Sequence, residues 1–179
     1  MLSVADFTLQ QAGCRLRPVC AADASVLVAI YTDARTQQFV GQLLTDADAI
    51  DRIAACAEAN QQPQRQKFYL ALENPQQQLA GMLAVFNIEP ALGLLELGIM
   101  LLPGRQQPGL ARTAYSALIE RAFALGFFQV FASMQPQNLA ALRLVRQCGM
   151  RQCDMVQCDM VQCSAKPAEV RYQISRPSN

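Results

Sequence analysis

Residues 93–126, GLLELGIMLLPGRQQPGLARTAYSALIERAFALG, constrain the fold more than any other part of the chain. Residues 93–101 form an apolar run of strand length, and a short polar loop follows. From Gly109 the apolar positions Leu110, Ala114, Ala117, Leu118, Ala122 and Leu125 recur at helical spacing until Gly126. The loop reads Gln106-Gln107-Pro108-Gly109-Leu110-Ala111, a Q-x-x-G-x-A arrangement with no acidic residue where the helix begins. The first turn of a helix has N–H groups without intrahelical partners and carries the positive end of the macrodipole, so this junction suits an anion. Strand, glycine loop and helix in this order describe a unit that holds a nucleotide or a coenzyme. Taken alone, the loop permits any phosphate-bearing ligand.

The whole chain narrows the class. Its 179 residues are expected to form a single domain over 1–179, large enough for a proper core. Fifteen Lys and Arg against fourteen Asp and Glu leave a net charge of +1, so no nucleic-acid partner is expected. The apolar runs are far shorter than a membrane span, and residues 1–13 lack the basic and apolar regions of a signal peptide. Seven scattered cysteines, an odd count, read as reduced thiols of a cytoplasmic protein. The complete absence of histidine removes Ser-His-Asp and Cys-His catalysis and any His-ligated metal, and no metal site is expected. With histidine absent, the expected general base is a carboxylate, or a water held by one.

Along the chain, residues 14–19 alternate as a first strand. A helix follows over 22–31 with Asp23 as its cap, and a second over 45–59. Strands are expected at 68–73, 79–87 and 93–101. The last two show no clean alternation and should lie mid-sheet, covered on both faces. After the helix that opens at Gly109 come an aromatic-rich strand at 127–134, a helix at 138–148 ended by Gly149, a strand from Met150, and a closing strand at 170–174. The order is β-α-α-β-β-β-α-β-α-β-β, an α/β arrangement of a mixed sheet with helices.

Four places in that order resemble the GNAT superfamily of N-acetyltransferases, and most closely its branch that acetylates ribosomal-protein N-termini. They are Arg15-Leu16-Arg17-Pro18-Val19 followed by Ala22-Asp23-Ala24; Leu95-Glu96-Leu97-Gly98; the loop from Gln106 to Ala111; and Asn138-Leu139-Ala140-Ala141 through Leu144 to Gly149-Met150. The last matches the family's N-x-x-[SA]-x-x-[LV]-x-x-x-x-G-[FM] helix at every defined position and is the most specific of the four.

The resemblance implies the GNAT acyl-CoA N-acyltransferase fold: a central, mostly antiparallel sheet flanked by helices on both faces. It also implies an N-acetyltransferase using acetyl-CoA as co-substrate, with an amine acceptor as partner, as a monomer or homodimer. On this reading the pyrophosphate sits on the N–H groups of Gln107, Gly109, Leu110 and Ala111 beside Gln106. The pantetheine arm adds to the free edge of the strand at Ile99 and Leu101, and Asn138 bonds the arm while capping its helix. Glu96 is the candidate base, because a lone carboxylate in so apolar a strand suits proton uptake near neutral pH. This sequence departs from the family pattern at Gln107, at Pro108, which offers no N–H, and at Ala141 and Val145, where relatives carry hydroxyls. Those departures admit an alternative: a module of the same fold that binds CoA or a protein partner with little turnover.

QCDMV occurs twice in tandem over 152–161, followed by Gln162-Cys163. A five-residue period gathers its cysteines on neither a strand nor a helix face, so it reads as a local duplication within the terminal hairpin rather than a metal site.

Overall fold

The two long apolar runs without alternation form the centre of one sheet in the computed structural model, which describes residues 2–11, 13–62, 67–153 and 169–177. The strands are β1 (Leu9–Gln11), β2 (Cys14–Pro18), β3 (Phe68–Glu73), β4 (Leu79–Glu89), β5 (Leu94–Leu101), β6 (Gln129–Met134), β7 (Arg151–Gln152) and β8 (Val170–Ser175). The helices are α1 (Ala24–Thr32), α2 (Ala34–Gln37), α3 (Asp46–Ala59), α4 (Leu110–Ala124) and α5 (Leu139–Gln147). Among the described residues the strand order is β1-β2-β3-β4-β5-β6-β8-β7. Every neighbouring pair is antiparallel except β5–β6, so the sheet is mixed and mostly antiparallel, as expected.

Alternation along the strands sends side chains to two cores. On one face Leu16, Leu70, Leu83, Val85, Leu95 and Val130 pack with Leu110, Ala114 and Leu118 of α4 and with Leu142 and Val145 of α5. On the other, Ala71 and Met82 meet Leu27 and Ile30 of α1 and Ile53 and Cys56 of α3. Helix α3 begins as read, with the Thr45 hydroxyl accepting the Asp48 N–H at 3.2 Å.

Three local details differ from the sequence reading. A hairpin partner, β1, precedes the first expected strand; its Leu-Gln-Gln carries no apolar alternation to announce it. A short helix, α2, follows α1, capped by Asp33, whose Oδ1 accepts the Thr36 N–H at 2.8 Å. The buried amide of Gln37 ties α2 down by donating to the Ile30 carbonyl at 2.9 Å. Asp23 is not a side-chain cap of α1. Its carboxylate instead receives both Arg17 terminal nitrogens, at 2.8 and 2.7 Å, together with the Cys20 N–H at 2.9 Å. An ionised guanidinium in reach outcompetes the weaker capping bond. The strand after Gly149 is short, Arg151–Gln152, and the remainder of the duplicated segment lies outside the described residues.

Arg17 also donates through Nε to Glu73 at 2.6 Å, so one guanidinium binds β2, β3 and the entry to α1. Both carboxylates are buried, Asp23 to 6% and Glu73 to 7% exposure. Burial alone would push the Asp23 carboxyl up, but the bonds from Arg17 and from the Cys20 N–H outweigh it and hold it below the ordinary carboxylate range. A carboxyl lowered on folding adds stability above its unfolded value, roughly 4, and loses it as the pH falls through the folded one. Arg17→Met strands a buried charge and should cost about 3–5 kcal/mol at neutral pH. Its Tm should then rise on acidification from pH 7 to 5, where the parent gains nothing. A Tm that tracks the parent's across that range would refute this role for Arg17.

Candidate active site

Strands β5 and β6 run together for only three residue pairs, Leu94–Gln129, Leu95–Val130 and Glu96–Phe131, and then part. Beyond Glu96, β5 continues to Leu101 on β4 alone, while β6 continues to Met134 on β8. Parting two strands inside a sheet strands backbone donors and acceptors, which are costly to leave unpaired when buried. Two side chains close the gap. The Tyr115 hydroxyl, on α4, donates to the Leu97 carbonyl at 3.0 Å, and Glu96 Oε1 accepts the Ser133 N–H at 3.0 Å. Tyr115 is buried, and burial pushes its phenol far up, so it stays a neutral donor.

Glu96 is itself buried, at 4% exposure, and its Oε2 accepts from Asn87 Nδ2 at 2.7 Å. Asn87 reaches it through a bulge. Between the pairs Phe86–Glu96 and Glu89–Leu94, the two residues Asn87 and Ile88 of β4 oppose the single Leu95 of β5. Asn87 takes φ +48°, a left-handed conformation that asparagine tolerates better than most residues. A carboxylate offers about four acceptor sites. The two bonds to Asn87 and Ser133 therefore leave capacity toward the cleft.

The loop before α4 explains Pro108. The Leu110 N–H donates to the Gln107 carbonyl at 3.2 Å, and Gly109 has φ +82° and ψ −19°. Gln107-Pro108-Gly109-Leu110 is thus a type II turn, with proline at the position where a fixed φ is wanted and glycine where φ must be positive. No N–H is needed at Pro108. A Cβ on Gly109 would meet no protein atom within 4 Å, so the backbone there is open to an outside group.

Two clefts flank the parting strands. The larger, about 650 Å³, runs from the loop along the free edge of β5 and is lined by Gln106, Gln107, Gly109 and Ala111 together with Ile99 and Leu101. Arg112 and Arg143 add cations to its wall. The smaller, about 340 Å³, holds Glu96 and Ser133. Asn138 lines both, and its Oδ1 accepts the Ala141 N–H at 3.1 Å as the cap of α5. Ala141 and Val145 face the smaller cleft, so α5 brings no hydroxyl there; Ser133, whose Oγ accepts from Arg171 Nε at 3.4 Å, and Tyr31, Tyr69 and Tyr115 line the same cleft. Leu110 stands apart from the other loop residues, with its side chain in the core and its N–H spent within the turn.

The larger cleft suits a polyanion with a long arm. It combines the N-terminal end of a 15-residue helix, an open glycine, three arginines (Arg35, Arg112 and Arg143) and a bare strand edge. The residues that sequence reasoning missed are Tyr115, Asn87, Ser133, Arg112 and Arg143. Tyr115 follows Ala114 in an otherwise apolar helix face, and a polar tip there was the available signal.

Solved structures share this fold. An acetyltransferase of the GNAT family from Bacillus anthracis superposes with TM-score 0.73 at 17% identity, over 94% of this chain and 98% of that one. The ribosomal-protein α-N-acetyltransferase RimL, in complex with coenzyme A, gives TM-score 0.74 at 16% identity, over 92% and 95% of the two chains. The microcin self immunity acetyltransferase MccE, in complex with acetyl-CoA and AMP, gives 0.75 at 14% identity, over 93% and 94%. No curated protein sequence matches the chain. The profile of the acetyltransferase (GNAT) domain matches residues 14–151, from β2 through the parting strands and α5 to the start of β7. The chain belongs to the GNAT acetyltransferase family.

Proposed function

We propose that this chain transfers the acetyl group of acetyl-CoA to a primary amine by direct attack in a ternary complex. The parting of β5 and β6 beside Glu96, with the type II turn and the α4 terminus at one end of the opening, carries this reading. In it, the N–H groups of Gln107, Gly109 and Ala111 hold the pyrophosphate beside Gln106, with Arg112 and Arg143 on the same wall. Leu110 contributes by shaping the turn. The main chain of Ile99 and Leu101 bonds the pantetheine arm, as an added strand would, and Asn138 reaches the arm from the α5 terminus.

Acetyl-CoA supplies an activated acyl group on a thioester. The chain's own residues hold the amine beside it and remove its proton. Glu96 faces the second cleft with acceptor capacity to spare and takes the proton of the incoming ammonium, directly or through a water. As the N–C bond forms and the C–S bond breaks, the proton shed by nitrogen neutralises the departing thiolate. Asn87 and the Ser133 N–H fix the carboxylate in place throughout.

Two variants test this reading. Glu96→Gln should lower amine-dependent thiol release by about 10²–10⁴-fold while leaving calorimetric acetyl-CoA affinity nearly unchanged. Equal turnover across pH would remove Glu96 from the role. Pro108→Ala restores an N–H but loosens the turn. If that position needs only a fixed φ, acetyl-CoA should bind no tighter and stability should fall by about 0.4–1 kcal/mol. A severalfold gain in affinity would show instead that a donor was missing.

A further inference from the structure

The smaller cleft has a built floor and walls that the acetyl-transfer reading leaves unused. On the face of the sheet that bears Glu96, three cross-strand pairs of β4 and β5 lie in succession: Phe86–Glu96, Ala84–Gly98 and Met82–Met100. Partners in such pairs share a face and sit about 5 Å apart. The middle pair carries a single methyl group between its two residues, so it forms a trough between a phenyl ring at one end and two thioethers at the other. Phe86 covers Gly98, since a Cβ there would lie 3.3 Å from its ring, so the open part of the trough lies over Ala84.

Tyr31, Phe39 and Tyr69 close the sides. The Tyr31 hydroxyl is turned into the wall, donating to Met82 Sδ at 3.5 Å, and burial pushes its phenol up so that it remains neutral. The lining is mainly aromatic and thioether, with Glu96 at one end of the floor, bonded to Asn87 and Ser133, and with Glu169 as a second carboxylate on the wall. Aromatic and methionine surfaces take up flat or branched apolar groups of varied shape and attract a single ammonium.

We propose that the acceptor is a primary amine carried on an aromatic or branched apolar body, its nitrogen at Glu96 and its body in the trough over Ala84, against the Phe86 ring. The proposal rests on the acetyl-transfer reading above. The experiment compares thiol release with 2-phenylethylamine and ethanolamine, at saturating acetyl-CoA. The kcat/KM for 2-phenylethylamine should exceed that for ethanolamine by at least about 10-fold, the scale on which apolar pockets discriminate. Ala84→Leu fills the trough and should raise the KM for 2-phenylethylamine by about 10-fold or more, with calorimetric acetyl-CoA affinity confirming an intact fold. Ethanolamine used as well as 2-phenylethylamine contradicts the acceptor assignment alone, as does an Ala84→Leu variant that binds acetyl-CoA and keeps the parental KM. Thiol release with neither amine overturns the assignment together with the acetyl-transfer reading.

Discussion

The structure depends on one arrangement: a parallel strand pair that ends after three residues and is kept from zipping further. Continued pairing would satisfy the backbone of β5 and β6 without help. Here the Leu97 carbonyl is met by the Tyr115 hydroxyl and the Ser133 N–H by Glu96. An unmet buried donor or acceptor costs about 1–3 kcal/mol, so these two side chains remove the penalty that would otherwise close the sheet. Each comes from a different layer. Tyr115 rises from α4 below the sheet, and Glu96 lies on the sheet with Asn87 behind it. Helix, strand and bulge thus fix the width of the opening together.

That opening separates two chemistries. One cleft is rimmed by the turn, the α4 terminus and arginines, and suits phosphate; the other is walled by aromatic and thioether side chains. Asn138, Ile99 and Met100 line both, so a group passing through the parted strands reaches either cleft. The Arg17 network belongs to the same frame at a distance. It pins the entry to α1, and α1 carries Tyr31 to the second cleft.

Much of this was legible in the sequence because it rests on local signals. The helix from Gly109 and the strand before it announce themselves by apolar spacing, and Asn138 caps α5 as its position suggests. What the sequence concealed depends on contacts between distant residues. Asp23 looks like a cap until Arg17 is folded beside it. Pro108 looks like a missing donor until the φ of Gly109 shows a type II turn around it. Glu96 reads as an isolated charge because nothing in its own strand tells that a bulge will bring Asn87 across, or that the parting of β6 will offer the Ser133 N–H. Tyr115 hides in an apolar helical pattern whose period it does not break. The family resemblance led to the correct fold because its motifs sit at the turn and at helix ends, where local rules are strongest.

The central claim is that the parted strands form the coenzyme slot. A crystal structure of the chain with acetyl-CoA tests it most directly. The pantetheine arm should lie between residues 97–101 of β5 and 132–134 of β6, bonded to the main chain at Ile99 and Leu101, with the pyrophosphate on the first turn of α4. A coenzyme bound elsewhere, with β5 and β6 paired past Glu96 or the slot left unused, would contradict it.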